Sequence, residues 1–305
     1  MNYISKKIQF LLPTLIIIAV GIVMYIVHGG FNYDIEFMGG VRMQIDMGGE
    51  FSNDDVAAAI KDKTDIVVTV QKSGDGNTAL IKTPPIDDNQ KNDVFNAVKE
   101  KFSLEAEAPL STSSASASFG KEVQQKSFVY TLAAIICILA YIAFRFEWRS
   151  AIMAVIALVI NVFIMMSVYS ITNIPLNTTF IAAMLTVVGY SINNTIVIFD
   201  RIRENMKRAM SKRSYSIFDT VNSSITESMG RTVNSTITTL ITIVLLYFLG
   251  VSTIKDFALP LIVGIVAGAY SSIFIAGPFW AVWKEADKQA KMQAAKEKSG
   301  KKKNK

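Results

Sequence analysis

Gly189–Asn205 reads GYSINNTIVIFDRIREN and carries the clearest signal in the chain. Its first half is apolar enough for a membrane helix, and its second half is charged. Two adjacent amides, Asn193 and Asn194, lie within the apolar part. Polar groups at that depth have no water to bond, so they meet protein or line a pathway. The segment therefore points to a protein that moves something across a membrane, or helps to.

The rest of the chain fits that setting. It has 305 residues, 51% of them hydrophobic, and a mean hydropathy of +0.35, values of the membrane class. Six apolar runs approach or exceed the roughly 20 residues that span a bilayer. They lie near Ile8–Val27, Phe128–Phe144, Ala151–Ile171, Phe180–Phe199, Thr232–Leu249 and Phe257–Trp283. The last is longer than needed and can tilt or continue past the lipid. Lys6 and Lys7 precede the first run, as in a signal peptide, but its apolar core is too long and no small-residue cleavage site follows. Residues 1–27 are read as an uncleaved anchor.

Charge sets the direction. Lys and Arg concentrate in Arg145–Ser150 and Asp200–Arg231, and are almost absent from Thr172–Thr179 and Gly250–Asp256. The positive-inside rule then makes both termini cytoplasmic. Residues 28–127, with 10 basic and 16 acidic side chains, form an external domain with its linker. Residues 128–283 form a five-helix bundle with a cytoplasmic helix over 200–231. The tail at 284–305, with nine lysines against three acids, suits anionic lipid better than nucleic acid.

Within the external domain, Val41–Met47 alternates as a strand does. Ser52 caps a helix to about Lys61, with Asp54 and Asp55 in its first turn. Ile66–Lys72 and Thr78–Lys82 form strands joined by Ser73–Asn77. Asp87 or Asp88 opens a helix to about Phe102, and a weaker strand falls near Leu104–Leu110. This βαββαβ order predicts a small α+β, ferredoxin-like domain between the first and second spans. Thr112–Ser118, rich in Ser and Ala, is expected to be a flexible linker or hinge. Gly39-Gly40 predicts a tight turn where the domain begins.

The membrane core is polar in three places. Asn161 lies near the middle of the third span. Asn194 shares a helical face with Tyr190 and Ser191. In the fifth, Ser224, Ser228, Arg231, Ser235, Thr238 and Thr242 recur at spacings of four and three, a stripe along one helix face. Arg231 is expected to snorkel to the interface or to reach the amides of the fourth span. Such residues also glue membrane helices together, and Gly264 with Gly268 gives a close-packing spacing. A catalytic role is not expected, for want of a nucleophile–base set, and no metal or cofactor is expected either. The single histidine, His28, stands at a membrane surface. The single cysteine, Cys137, sits in an apolar run and has no disulfide partner within the chain.

Four segments together resemble the SecD/SecF family of bacterial protein-export membrane subunits, on its SecF side. They are Phe37-Met38-Gly39-Gly40, Arg145-Phe146-Glu147-Trp148-Arg149, Gly189–Asn205 and the run from Arg231 to Thr239. Family-motif positions include Gly189, Tyr190, Asp200, Arg201, Arg203 and Glu204. The resemblance implies six transmembrane helices forming half of a transporter like those of the RND superfamily. SecD would supply the other half, and the pair would use the proton gradient to pull unfolded chains from the SecYEG channel. YajC and YidC are further partners that the family implies, together with the bacterial cytoplasmic membrane as location.

The family usually has Asp where this chain has Asn194, and often His-Asp where it has Ile160-Asn161. Ser235 stands for a Thr. Asn does not titrate, so three readings of coupling stay open. The proton carrier lies on SecD, sodium is coupled through amide and hydroxyl oxygens, or coupling is weak. Rival functions are half of an RND-type exporter of small molecules or lipids, a structural assembly factor, and, last, a membrane enzyme.

Overall fold

The computed structural model describes residues 2–73, 76–105, 107–145, 147–211 and 215–303. Gly74 and Asp75 of the expected hairpin, and Phe146 of the Arg145–Arg149 motif, lie outside the described residues.

Helix α1 (Lys7–Val27) crosses first. A short helix, α2 (Ile35–Met38), ends at Gly39. Gly39 and Gly40 both take positive φ, 78° and 142°. At Gly40 a Cβ would lie 2.2 Å from the Thr83 carbonyl oxygen, so no other residue fits this turn. Then come β1 (Gly40–Asp46), α3 (Asn53–Thr64), β2 (Thr69–Ser73), β3 (Thr78–Thr83), α4 (Asp88–Phe102) and β4 (Ser111–Ala115). The sheet order is β2-β3-β1-β4, with all three pairings antiparallel. Val41, Met43 and Ile45 alternate along β1 and pack with Ile81, Val56, Ile60, Val94 and Val98. Asp87 closes the start of α4 with Gln90 as a reciprocal cap. At Asp65 the backbone turns left-handed and ends α3, so β2 starts three residues later than expected.

Two expectations fail at the far end of this domain. The last strand is not Leu104–Leu110 but Ser111–Ala115, and all but its first residue lie in the segment expected to be a flexible linker. Helix α5 (Ala117–Arg145) starts after Ser116 alone. The free edge of β1 is the physical reason. Its backbone needs partners, which Ser and Thr provide as well as apolar residues do. Composition reports side-chain hydrophobicity and is blind to that demand.

The remaining helices are α6 (Trp148–Thr172), α7 (Thr178–Met210), α8 (Ile217–Leu249) and α9 (Ser252–Ser271), followed by a π-helical turn at Ser272–Ala276 and α10 (Gly277–Lys303). Six helices among the described residues are long and apolar enough to cross a membrane. Among the described residues there is no separate helix over 200–231. The charged half of the opening motif instead continues α7 as one rod of 33 residues, about 50 Å at 1.5 Å per residue. Its Ile202 and Met206 are buried in one cluster with Ile217, Val221 and Ile225 of α8. Gly264 brings α9 against α7, where a Cβ would lie 2.4 Å from Val187 Cγ2. Gly21 does the same for α1 against Ser167 of α6.

Candidate functional site

At the centre of the bundle, α6, α7 and the π turn meet in a buried polar cluster. Asn161, Ser191, Asn194, Thr195, Ser271 and Ser272 are each at most 3% exposed. The Asn161 amide donates to Ser191 Oγ at 2.6 Å. Thr195 Oγ1 and Ser272 Oγ lie 2.7 Å apart. Thr195 also donates to the Ser191 carbonyl at 3.0 Å. The π turn delivers Ser272 here, and such bulges often mark functional sites. Among the described residues, Asn161 Oδ1, Asn194 Nδ2 and Tyr190 Oη find no hydrogen-bond partner although they are buried. Each orphaned group costs roughly 1–3 kcal/mol. The cluster holds only neutral groups, so it can pass hydrogen bonds but cannot itself store a charge.

The sequence reading of α8 is corrected by one residue of rotation. Ser224 and Ser228 are buried as part of the stripe, but the buried line then runs through Thr232 and Thr236. Arg231, Ser235, Thr238 and Thr242 face outward and are exposed. Arg231 therefore does not meet the amides of α7. Of the two adjacent amides, Asn194 turns inward and Asn193 outward. Gly189 is likewise open, with no atom within 4 Å of a Cβ placed there. Ser235 Oγ donates to the Thr232 carbonyl at 3.0 Å and Thr238 to Asn234 at 2.9 Å, so both hydroxyls are held by their own helix.

The charged end of α7 pairs within the chain. Arg201 bonds Glu227 at 2.5 Å and Glu204 at 2.7 Å, and Glu204 also takes Arg208 at 2.6 Å. Asn205 links to Ser224 at 3.0 Å and Glu227 at 2.9 Å. Asp200 is half-buried, and Arg203 is exposed.

A second cluster escaped the sequence reading. Register pairs Arg42 of β1 directly with Lys82 of β3, a repulsive placement on its own. Asp34 resolves it. Its carboxylate is 1% exposed, ion-paired with Arg42, and lies 2.7 Å from Lys82 Nζ. Burial pushes Lys82 down to about 8, Arg42 beside it adds to the fall, and Asp256 and Glu36 oppose it. Burial also lowers Arg42. Glu36 accepts from the Thr178 amide at 2.9 Å and the Thr178 hydroxyl at 2.5 Å, at the start of α7. The Asp34 amide donates to the Leu176 carbonyl at 2.8 Å, and the Leu176 amide to the Asn32 carbonyl at 2.7 Å. His28 Nδ1 lies 3.1 Å from the Ser170 carbonyl, a structural tie between α1 and α6. Phe37 is buried beside this junction. The only signal in the sequence was the placement of Arg42 and Lys82 on the polar face of their strands.

Six spans, one α+β domain inserted after the first, and a polar seam through the bundle define a polytopic membrane protein of transporter type. The family described as protein export membrane protein SecD/SecF, C-terminal, matches residues 94–286. The chain is similar to the protein translocase subunit SecF of Alicyclobacillus acidocaldarius, with 34% identity over 90% of each chain. It is similar to SecDF of Bacillus subtilis, 31% identical over 93% of this chain and 38% of that one. Among solved structures, SecDF from Thermus thermophilus, a translocon-associated membrane protein, matches with a TM-score of 0.81 and 31% identity. That match covers 93% of this chain and 39% of the other. The chain belongs to the SecD/SecF family of protein-export membrane proteins, and protein export is the function that membership gives it. It spans about two fifths of the length of the SecDF chains it matches.

Proposed function

We propose that this chain is the SecF-type half of a Sec export unit. It acts without catalysis, beside a SecD-type half, to promote ion-gradient-driven translocation of unfolded preproteins through a SecYEG channel. The observation that carries this reading is the outward polar stripe of Arg231, Ser235, Thr238 and Thr242, with Asn193 on the neighbouring helix. The three hydroxyls are held by their own helix. The Arg231 guanidinium and the Asn193 amide have no partner among the described residues, and such groups do not face lipid, since each unmet group there costs several kcal/mol. A second polar half covering them satisfies the constraint, and SecDF relatives carry this sequence inside a longer chain. The neutral inner cluster then supplies hydrogen bonds, while the titrating acid belongs to the partner. A sodium ion is the weaker coupling candidate, because the cluster offers no carboxylate to a hard cation.

In this reading the membrane is the bacterial cytoplasmic one and both termini are cytoplasmic. YajC and YidC are auxiliary neighbours. The α+β unit, by its βαββαβ order and antiparallel sheet, is read as ferredoxin-like, and it guides the emerging chain. The test is disulfide trapping from Ser235→Cys in the assembled complex. Cross-links to a span of the SecD-type subunit are expected, with precursor accumulating in pulse-chase export after depletion of this chain. An introduced thiol that reacts only with membrane-soluble reagents, in cells with normal export, overturns the reading. Asn194→Asp tests the coupling assignment. An unchanged pH dependence of export in a functional variant rejects a role for this position.

A further inference from the structure

A cavity of about 460 Å³ opens at the end of the bundle opposite the α+β domain, between the start of α6, the end of α7 and α10. Its floor and wall are apolar: Phe199, Ile202, Met206 and Trp280. Three cations, Arg203, Lys207 and Lys284, line it against one carboxylate, Glu147. Glu147 already takes Lys284 at 2.7 Å. Arg203 and Lys207 have no ion-pair partner among the described residues, while their neighbours Arg201 and Arg208 are both paired to Glu204.

Two further observations set the ligand. First, Glu147 stands at the head of α6 without capping it through its side chain, and buried Ser150 of the first turn lines the cavity. An uncapped helix start favours an anion. Second, all three tryptophans of the chain gather at this end. Trp148 and Trp283 stack edge to face at 5.2 Å, Arg149 lies 5.0 Å over Trp148, and Trp280 lines the cavity. Tryptophans with flanking cations mark headgroup depth in a bilayer.

We infer that this cavity is a binding site for an acidic phospholipid of the leaflet opposite the α+β domain. Arg203, Lys207 and the start of α6 hold the phosphate, and Phe199, Ile202, Met206 and Trp280 take the upper acyl chain. The chemistry is that of basic pockets between membrane helices. A phosphate monoester free in solution shares the head chemistry but leaves the apolar wall uncovered.

The test uses the full chain with its partner, purified into nanodiscs of phosphatidylcholine doped with phosphatidylglycerol. Native mass spectrometry counts the lipids retained on release. Retention of acidic lipid over phosphatidylcholine is expected, falling at least tenfold in Arg203→Gln/Lys207→Gln. Lys99→Gln/Lys101→Gln, on α4 of the domain, serves as the matched control and leaves retention unchanged. Glycerol phosphate added in large excess does not displace the lipid, and displacement by it would make the site one for soluble phosphate. Equal retention in parent and double variant overturns the proposal. Should the variant fail to assemble, a photoreactive phosphatidylglycerol applied to the unaltered chain decides. Adducts within 199–210 and 280–284 support the site. Adducts confined elsewhere, or capture of an acidic segment of the partner by those residues, reject it.

Discussion

Replacing Gly264 with alanine places a methyl carbon 2.4 Å from Val187 Cγ2, 2.6 Å from its Cγ1 and 2.8 Å from Met165 Sδ. Carbon atoms rest at about 3.5–4.0 Å, so the contact with Val187 is short by more than about 1 Å. Met165 can yield, because its side chain is unbranched. Val187 is nearly locked at χ1 within a helix. The strain therefore falls on the separation of α7 and α9, at an expected cost of about 1–3 kcal/mol. Val187→Ala removes both offending methyls and alone costs on the order of 2 kcal/mol through the void it leaves. Combined, the two changes fill one another's defect, and a coupling of at least roughly 1 kcal/mol is expected. The assay is equilibrium unfolding in mixed micelles, followed by tryptophan fluorescence, over the four members of the cycle. Gly189→Ala is the control, since nothing lies within 4 Å of its added methyl. Its own stability should hold, and any loss of export would report the partner surface instead. Additive costs for Gly264 and Val187, or a neutral Gly264→Ala, would refute the close approach of these two spans.

Glu36→Ala removes both acceptor contacts at the start of α7 and is expected to cost about 2 kcal/mol, with faster amide exchange over 178–180 read by mass spectrometry. Ser191→Ala strands the Asn161 amide and should cost about 1 kcal/mol, given the modest worth of hydrogen bonds between membrane helices. Unfolding measured as above checks it, and Asn161→Leu in the same background should recover part of the loss. Lys82 has its folded value near 8, below its ordinary 10.5. The unfolded chain therefore binds the extra proton between those values, and stability should rise with pH across that window, by up to about 1.4 kcal/mol per unit. Lys82→Met should flatten that rise in a thermal scan, whereas an unchanged slope would place the titration elsewhere.

The spans were legible because length and hydropathy alone fix them: Ile8–Val27 in sequence became Lys7–Val27 in structure. Strands β1 and β3 were legible through alternation. Strand β4 was not, because its five residues carry almost no apolar side chain and are recruited by the open edge of β1. The inward amides Asn161 and Asn194 were legible as polar groups inside apolar runs. The phase of α8 was not. A row of Ser and Thr satisfies its hydroxyls on its own helix, so polarity does not say which side faces in. The Asp34–Arg42–Lys82 cluster depends on strand register and on a loop far along the chain, around Leu176, neither of which is local.

The joint at Ser116 bears on how the α+β domain can move. The chain enters the sheet at Gly40 and leaves it at Ala115, and those two residues are register partners. Beyond them, α5 is pressed on α2, where a Cβ on Gly120 would lie 2.7 Å from the Phe37 carbonyl oxygen. Both attachments thus share one corner, like the two leaves of a door hinge. A domain hung this way turns about a single edge and does not wander as a tethered ball does. Taken as the length of α4, the domain's longest helix at 15 residues, its lever arm is about 22 Å. That reach corresponds to roughly six or seven residues of extended polypeptide. A single-molecule translocation step much longer than this would have to originate outside the swing of this domain.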